Sequence, residues 1–489
     1  MTAHDRITVQ VDRLSLGGEG VCRLPTGQAG AAGLVIFVPY SAPGDELEIE
    51  LTESHKRFAR GRILKVLKPS PDRITPKCPY HFDIRNPDTK SRKGFYCGGC
   101  SWQHLRYEAQ LKGKQALVQE TLERIGGIRG VMVKPVLGMK DPWRYRNKVQ
   151  MPVGWDARAR RLIAGFYAPS SHEIVPIDDC LVQPELSVAI LNRARALLAQ
   201  YHVRAYDDQH HQGWIRHLWV RTTSPHPNPL PSGEGWGEAT SQALLVFVTR
   251  SPDFPHEREI LTALAAEFPQ LAGVHQNVNP GRTNVILGRQ WRKLAGADFI
   301  EERLGALRFR LSPGSFFQVN TVQAEALYTV VKEMAGRGER LLDLYSGVGG
   351  IALWLSQNFQ EIGGVDDVRS AIEDAEANAE LNAIDNARFL AQPVEQFLKG
   401  VRPHVNKGSD PKLTVTVDPP RSGCSPEVIK GILTLRPRTL VYVSCDPGTL
   451  ARDLALLIKG GFHVQEVQPV DLFPHTPHIE TAVKLMLRS

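Results

Sequence analysis

No run of apolar residues in this 489-residue chain reaches the roughly 18 to 20 needed to cross a bilayer as a helix, so a membrane-spanning protein is not expected. The N-terminus, Met1-Thr2-Ala3-His4-Asp5, lacks the basic-then-apolar layout of a secretory signal, and a cytoplasmic protein is expected. Cysteine is sparse and odd in number, 7 in all, which argues against a disulfide framework and leaves metal binding or catalysis as its uses. Charge of neither sign dominates: a formal net charge of +7 suits a polyanionic partner without demanding one. At this length a single core does not suffice, because cores stop growing at about 250 to 300 residues, so two or three domains are expected. A monomer is the default expectation.

What is present falls into three segments. Residues 1–68 read as short strands: Ile7-Thr8-Val9-Gln10-Val11 alternates, residues 34–38 are apolar, and residues 46–51 alternate again. Gly17-Gly18-Glu19-Gly20 and Ala42-Pro43-Gly44-Asp45 turn the chain between them, and a small OB-like β-barrel is expected. The barrel ends in His55-Lys56-Arg57-Phe58-Ala59-Arg60-Gly61-Arg62, bases around one aromatic. Such a run grips RNA phosphates and stacks a base, although a solvated basic edge strand reads the same way. Residues 69–304 read as a central α+β domain, with helical apolar spacing over residues 101–124. Within it, the Pro- and Gly-rich residues 223–241 interrupt two strand-like runs, 215–222 and 243–248, and read as an inserted surface loop without order of its own. Residues 305–489 alternate strand and helix: strands at 341–344, 362–366, 413–417 and 439–443 predict a doubly wound, Rossmann-like α/β domain.

In such sheets the ligand lies at the carboxyl ends of the strands, where glycine lets the backbone approach it and an acidic residue on the next strand takes the ribose hydroxyls. Here Tyr345-Ser346-Gly347-Val348-Gly349-Gly350 is the turn and Asp366 ends the next strand. A dinucleotide enzyme is disfavoured, because Asp343 precedes the turn inside the strand and the glycines do not follow G-x-G-x-x-G. The pattern resembles class I S-adenosylmethionine methyltransferases. The third strand ends in Asp418-Pro419-Pro420-Arg421; enzymes that methylate exocyclic amines place a stacking aromatic where Arg421 stands, and that chemistry is disfavoured.

The fourth strand ends in Ser444-Cys445-Asp446-Pro447, which puts Cys445 where a helix begins and where a thiolate is expected to be favoured. A cysteine ending a buried strand is by itself more often a small core residue. Chemistry raises it: carbon 5 of uracil is a poor nucleophile until a thiolate adds to carbon 6, and a base must then remove the carbon 5 proton. Phe473-Pro474-His475-Thr476-Pro477-His478-Ile479-Glu480 offers Glu480 as that base, with His475 and His478 near it.

Gly314-Ser315-Phe316-Phe317-Gln318-Val319-Asn320, the Asp343 turn, Asp418-Pro419-Pro420-Arg421, Ser444-Cys445-Asp446-Pro447 and the Phe473 to Glu480 motif occur in this order. The combination closely resembles the RNA uracil-5-methyltransferases that act on 23S ribosomal RNA and on tRNA, across nearly the whole chain. The resemblance implies that Cys445 is the nucleophile and Glu480 the base. It further implies that Gln318, Tyr345, Asp366 and Asp418, with the Gly347 and Gly350 turn, line the S-adenosylmethionine site, and that the barrel is a TRAM domain. Three positions depart from the pattern: Gly350 stands where many relatives have Asn, Gln392-Pro393 where Asn or Asp is common, and Asp366 for the more usual Glu.

The remaining signal is Cys78, Cys97-Gly98-Gly99-Cys100 and Cys180. Four thiolates suit structural zinc or an iron–sulfur cluster, and spacing alone does not separate them, with a slight lean to zinc. The resemblance reverses the lean, because the ribosomal members carry a [4Fe–4S] cluster on such a pattern and the tRNA enzymes generally lack it. It therefore implies methylation of a uridine in 23S ribosomal RNA, with tRNA the alternative substrate. Lys90-Ser91-Arg92-Lys93-Gly94 adds charge beside the cysteines and reads as an RNA contact or as a solvated run. A catalytically idle RNA-binding protein is the reading of a different class, and intact Cys445 and Glu480 argue against it. A radical enzyme is disfavoured by the lack of a compact Cys-x3-Cys-x2-Cys run.

Overall fold

The computed structural model describes residues 4–23, 33–84, 96–224, 226–229, 236–282, 285–401 and 410–488. The Lys90 to Gly94 run lies outside them. Five strands, β1 (Arg6–Leu14), β2 (Gly20–Arg23), β3 (Val35–Val38), β4 (Glu46–Ser54) and β5 (Phe58–Lys68), close the expected barrel in the order β1-β2-β3-β5-β4. Strict alternation drives closure: Val9 and Val11 of β1 face Leu47, Ile49 and Leu51 of β4 in an interior of their own. The basic run is only partly free for RNA. Arg60 pairs with Glu19 and Glu53, and Arg62 with Glu50 at 2.8 Å, while Lys56 and Arg57 stand exposed at the turn.

Helix α1 (Tyr107–Arg124) follows the barrel. A seven-stranded sheet is built from β6 (Lys148–Asp156), β7 (Arg161–Tyr167), β8 (Ile174–Pro176), β9 (Ile215–Thr222), β12 (Ala243–Thr249), β13 (Leu271–Val278) and β14 (Gln290–Gly296), with α2 (Glu185–Gln200) and α3 (Glu257–Glu267) against one face. Strand β12 is apolar from Ala243 to Val248 because its two faces feed two cores. Leu245 and Phe247 pack with α2, whereas Leu244, Val246, Val248 and Trp219 pack on α4 (Thr321–Ala335).

The Pro- and Gly-rich insertion does not join this sheet, but it is not without order: β10 (His226–Pro229) and β11 (Trp236–Thr240) form an antiparallel ribbon of their own. Both strands of a two-stranded ribbon are edges, where a proline's missing N–H costs no ladder bond.

After the hairpin β15 (Ile300–Leu304) and β16 (Leu307–Leu311), the third unit comprises β17 (Gly338–Leu344), α5 (Gly350–Trp354), β18 (Phe359–Asp366), α6 (Arg369–Leu381), β19 (Ala387–Ala391), α7 (Val394–Gly400), β20 (Asp410–Val417), α8 (Pro426–Leu435), β21 (Pro437–Ser444), α9 (Pro447–Lys459), β22 (Phe462–Val470) and β23 (Glu480–Leu487). The sheet order is β19-β18-β17-β20-β21-β23-β22, parallel except for β23, which runs antiparallel to both neighbours. The expected doubly wound sheet is present, with β19, β22 and the last strand β23 beside the four expected strands. One expected boundary is corrected: α1 packs on α9, and Val118, Leu122, Ile128 and Val133 enter the core under β20 and β21. The stretch from α1 to residue 137 therefore belongs physically with the third unit, because its apolar face is buried there. Among the described residues no helix is long and apolar enough to cross a membrane.

The barrel is docked by a buried ion pair. Asp45, fully buried, receives Arg73, the Ser70 N–H at 2.8 Å and the Ala42 N–H at 2.6 Å. Trp102 donates to the Gly18 carbonyl at 2.8 Å. Gly18 has φ +87°, and a side chain there would meet Pro477 at 2.9 Å. Asp45→Ala leaves the Arg73 charge without its partner and is expected to cost about 3–5 kcal/mol, read by calorimetry as an earlier unfolding transition; an unchanged transition would discount the junction.

Candidate active site

All eight residues expected at the catalytic and cofactor sites line one cavity of about 1140 Å³: Gln318, Tyr345, Gly347, Gly350, Asp366, Asp418, Cys445 and Glu480. The cavity lies at the carboxyl ends of β17, β18, β20 and β21.

The glycine turn is shaped by left-handed backbone at Tyr345 (φ +63°), Gly347 (φ +52°) and Gly349 (φ +82°), which folds the chain tightly at the cavity's edge. Asp366 fastens the turn, accepting the Gly347 N–H at 3.0 Å and the Val368 N–H at 2.9 Å. Asp343 holds the strand beneath it, accepting Thr416 Oγ1 at 2.6 Å and the Ala352 N–H at 3.2 Å. Burial pushes Asp343 up to about 7. The departure at Gly350 has a steric reason: a Cβ there would lie 2.6 Å from the Tyr328 hydroxyl, which hydrogen-bonds the Gln318 side chain. At Gln392-Pro393 it is Pro393, not Gln392, that reaches the cavity, beside Glu395.

Gln318 is positioned from outside its own domain. Asn147 donates to the Gln318 carbonyl at 3.0 Å, and buried Arg221 of β9 donates to the Ser315 carbonyl at 2.6 Å. Sequence reading missed Tyr328, Arg221 and Asn147, which resemble ordinary helix or strand residues until the fold brings them to this loop.

Cys445 directly follows β21 and precedes Asp446, whose carboxylate caps α9 by accepting the Thr449 N–H at 2.8 Å. The expectation of a favoured thiolate is not met. Burial, then the facing carboxylates of Glu480 and Asp418, push the Cys445 thiol up to about 12, against the opposing pull of Arg421. Glu480 is 4% exposed and its Oε2 has no hydrogen-bond partner among the described residues. Burial raises Glu480 well above the ordinary carboxylate range, Asp418 adds to the rise and Arg421 opposes it; burial raises Asp418 as well. Neither histidine lines the cavity: His475 stacks on Trp143 at 4.0 Å between ring centres, and His478 is exposed.

The four other cysteines share a second cavity of about 330 Å³. Each sulfur receives an N–H donor: Cys78 the backbone at Tyr80 and His81, Cys97 the Gly99 N–H at 3.3 Å, Cys100 the Gln103 side chain, and Cys180 the backbone at Val182 and Gln183. Burial raises all four thiols. The chemistry of the set fits a cationic group that would hold them ionised. Among the described residues, however, no three His, Cys, Asp or Glu side chains are gathered as ligands of a metal, so the arrangement bears out neither the zinc nor the iron–sulfur expectation. Arg146 and Lys148 line both cavities, and burial with the Arg221 and Arg146 charges draws Lys148 down to about 7.

The family model for tRNA (Uracil-5-)-methyltransferase matches residues 282–488, and the model for the TRAM domain matches residues 5–64. An uncharacterised RNA methyltransferase of Halalkalibacterium halodurans is 37% identical over 99% of this chain and 98% of its own length. Another, from Gloeobacter violaceus, is 39% identical over 98% and 96% respectively. The solved structure of the tRNA (uracil-54, C5)-methyltransferase of Pyrococcus abyssi, in complex with S-adenosyl-L-homocysteine, matches with a TM-score of 0.72 at 27% identity, covering 98% of this chain and 100% of that one.

The raised Asp343 carboxyl sets a pH dependence. Between its unfolded value of 3.8 and about 7 the unfolded chain gives up a proton that the native state keeps, so this group lowers stability as pH rises through that window. Asp343→Asn is expected to shrink the loss of stability between about pH 4 and pH 7 by a few kcal/mol, measured by denaturant unfolding at both; an unchanged loss would count against a protonated Asp343.

Proposed function

Because the chain belongs to the RNA (uracil-5-)-methyltransferase family with an N-terminal TRAM domain, S-adenosylmethionine-dependent enzymes, we propose that it methylates carbon 5 of a uridine in 23S ribosomal RNA through a covalent adduct on Cys445. The observation that carries this reading is the shared cavity: Cys445 and Glu480 open onto the same space as the Gly347 turn and Asp366.

Bound S-adenosylmethionine supplies an electrophilic methyl group and a positive charge. Gly347 and Gly350 accommodate it along the turn, Asp366 takes its ribose hydroxyls, and Tyr345, Gln318 and Asp418 complete its walls. As it stands Cys445 is a thiol, because burial and two carboxylates oppose its ionisation. Positive charge entering the cavity, added to that of Arg421, favours the Cys445 thiolate and the Glu480 carboxylate, whose two protons pass to solvent, so the nucleophile and the base are armed only in the loaded site. Cys445 Sγ then bonds to carbon 6 of the flipped-out uracil, and the ring's electron pair moves onto the carbonyl oxygen at carbon 4. When that enolate collapses, carbon 5 bonds the methyl group and S-adenosylhomocysteine leaves with the sulfonium electron pair. Glu480, ionised by then, takes the proton from carbon 5; the carbon 5–carbon 6 double bond reforms and Cys445 departs with the pair it had donated.

The ribosomal substrate is supported by the four thiols around one cavity, where Cys78, Cys97, Cys100 and Cys180 would hold a [4Fe–4S] cluster. It would supply the charge that keeps them as thiolates and tie their segments together. A second reading, tRNA with the same chemistry, is favoured by the likeness to the Pyrococcus abyssi enzyme.

The test is nucleoside mapping of 23S rRNA and bulk tRNA after incubation with anaerobically purified protein and labelled S-adenosylmethionine. Label is expected in 5-methyluridine of ribosomal RNA; label in tRNA alone would move the substrate, and label in neither would favour an idle RNA-binding protein. Cys445→Ala is expected to abolish transfer and leave S-adenosylmethionine affinity within about threefold, with residual turnover refuting the nucleophile. Glu480→Gln is expected to accumulate a protein–RNA band on denaturing gels, and the absence of that band would refute the base.

A further inference from the structure

Glu480 poses a positioning problem. Its buried Oε2 has no hydrogen-bond partner among the described residues, so no side-chain contact aims that oxygen, and its place is set by the backbone that delivers it. That backbone is held along its approach. Gln323 Nε2 donates to the Asp471 carbonyl at 3.0 Å and Asn320 Nδ2 to that of Leu472 at 3.1 Å. Lys114 Nζ donates to the Phe473 carbonyl at 3.0 Å, and Tyr145 Oη to that of Pro474 at 3.0 Å. The N–H groups of Ser101 and Trp102, next to Cys100, both donate to the His475 carbonyl, at 3.1 and 2.9 Å. Five successive carbonyls are thus held by donors from α1, α4 and its cap, the start of the central domain and the cysteine segment.

Lys114 stands at the middle of this set. Its side chain and that of Asp471 are both fully buried, and their charged atoms are 2.5 Å apart. Asp471 Oδ2 also accepts the Tyr107 hydroxyl at 2.8 Å, and Asp471 Oδ1 the Phe473 N–H at 3.2 Å. A buried ion pair adds little to stability over an apolar pair of the same shape, and its value lies in geometry. Both partners here are spent on a loop whose far end is Glu480.

We propose that Lys114 is a positioning residue for methyl transfer: through Asp471 and the Phe473 carbonyl it fixes residues 471–475, so that Glu480 stands where the carbon 5 proton must be removed. The proposal rests on the reading of Glu480 as the base. Its effect is expected to fall on proton removal, because the loop delivers Glu480, whereas the cofactor turn and Cys445 follow β17 and β21; Phe473 is the loop's one residue in the cavity wall.

The test compares Lys114→Met, the charge-neutral double variant Lys114→Met/Asp471→Asn and Glu480→Gln in single turnovers on the transcript, 23S rRNA or tRNA, that the wild-type protein methylates. The double variant removes the charge that Lys114→Met alone strands in the interior, and it carries the test if the single variant does not fold. Adduct formation is expected within about threefold of wild type, with adduct release slowed about a hundredfold, at the low end of general-base contributions. S-adenosylmethionine affinity, read by calorimetry, is expected to hold. A merely structural role lowers the melting temperature and leaves the ratio of adduct formation to release unmoved; that result overturns the proposal. Normal release by the double variant beside a stalled Glu480→Gln overturns it alone, whereas normal release by Glu480→Gln overturns the base reading and the proposal with it.

Discussion

Five consecutive peptide carbonyls, residues 471–475, must each find a donor away from water, and the way they do so ties the molecule together. Their donors come from segments up to about 370 residues distant in sequence. The barrel leans on the same loop, with Gly18 against Pro477 and its carbonyl on Trp102. The three units therefore meet around one strand entry, and the central domain serves as a frame: Asn147 and Arg221 hold the Gln318 loop from one side while Tyr145 holds Pro474 from the other.

The electrostatics of the cavity follow from the same burial. Asp343, Asp418, Glu480 and Cys445 are all pushed toward their protonated forms, so the acidic side of the cavity gains from a cation. Arg421 is the protein's own contribution in that direction. Across the shared wall, Arg146 favours thiolates at Cys100 and Cys180 while opposing the charge on Lys148. The two cavities are therefore electrostatic neighbours as well as structural ones.

Much of this architecture was legible in the residues. The barrel strands, the doubly wound sheet, the glycine turn and every expected lining residue stand in the structure where alternation, turn chemistry and motif order put them. These are local signals: period-2 burial, φ above zero and acidic residues at strand ends are each dictated within a few residues of chain. Three expectations gave way. The Pro- and Gly-rich insertion pairs with itself because an edge tolerates proline, and α1 belongs with α9 because only three-dimensional packing shows which core takes its apolar face. Cys445 is pushed toward its thiol form by burial and then by Glu480 and Asp418, which lie 35 and 27 residues away along the chain and out of reach of any local pattern.

By itself the sequence determined which chemical groups are present and how each segment folds locally: the thiol, the carboxylates, the turn that admits a cofactor and the four clustered cysteines. Only the tertiary structure decided their protonation, their common cavity and the way Glu480 is held. Those properties depend on burial and on hydrogen bonds such as Lys114 to Phe473, between residues hundreds of positions apart, and no local pattern of side chains encodes the distance between them.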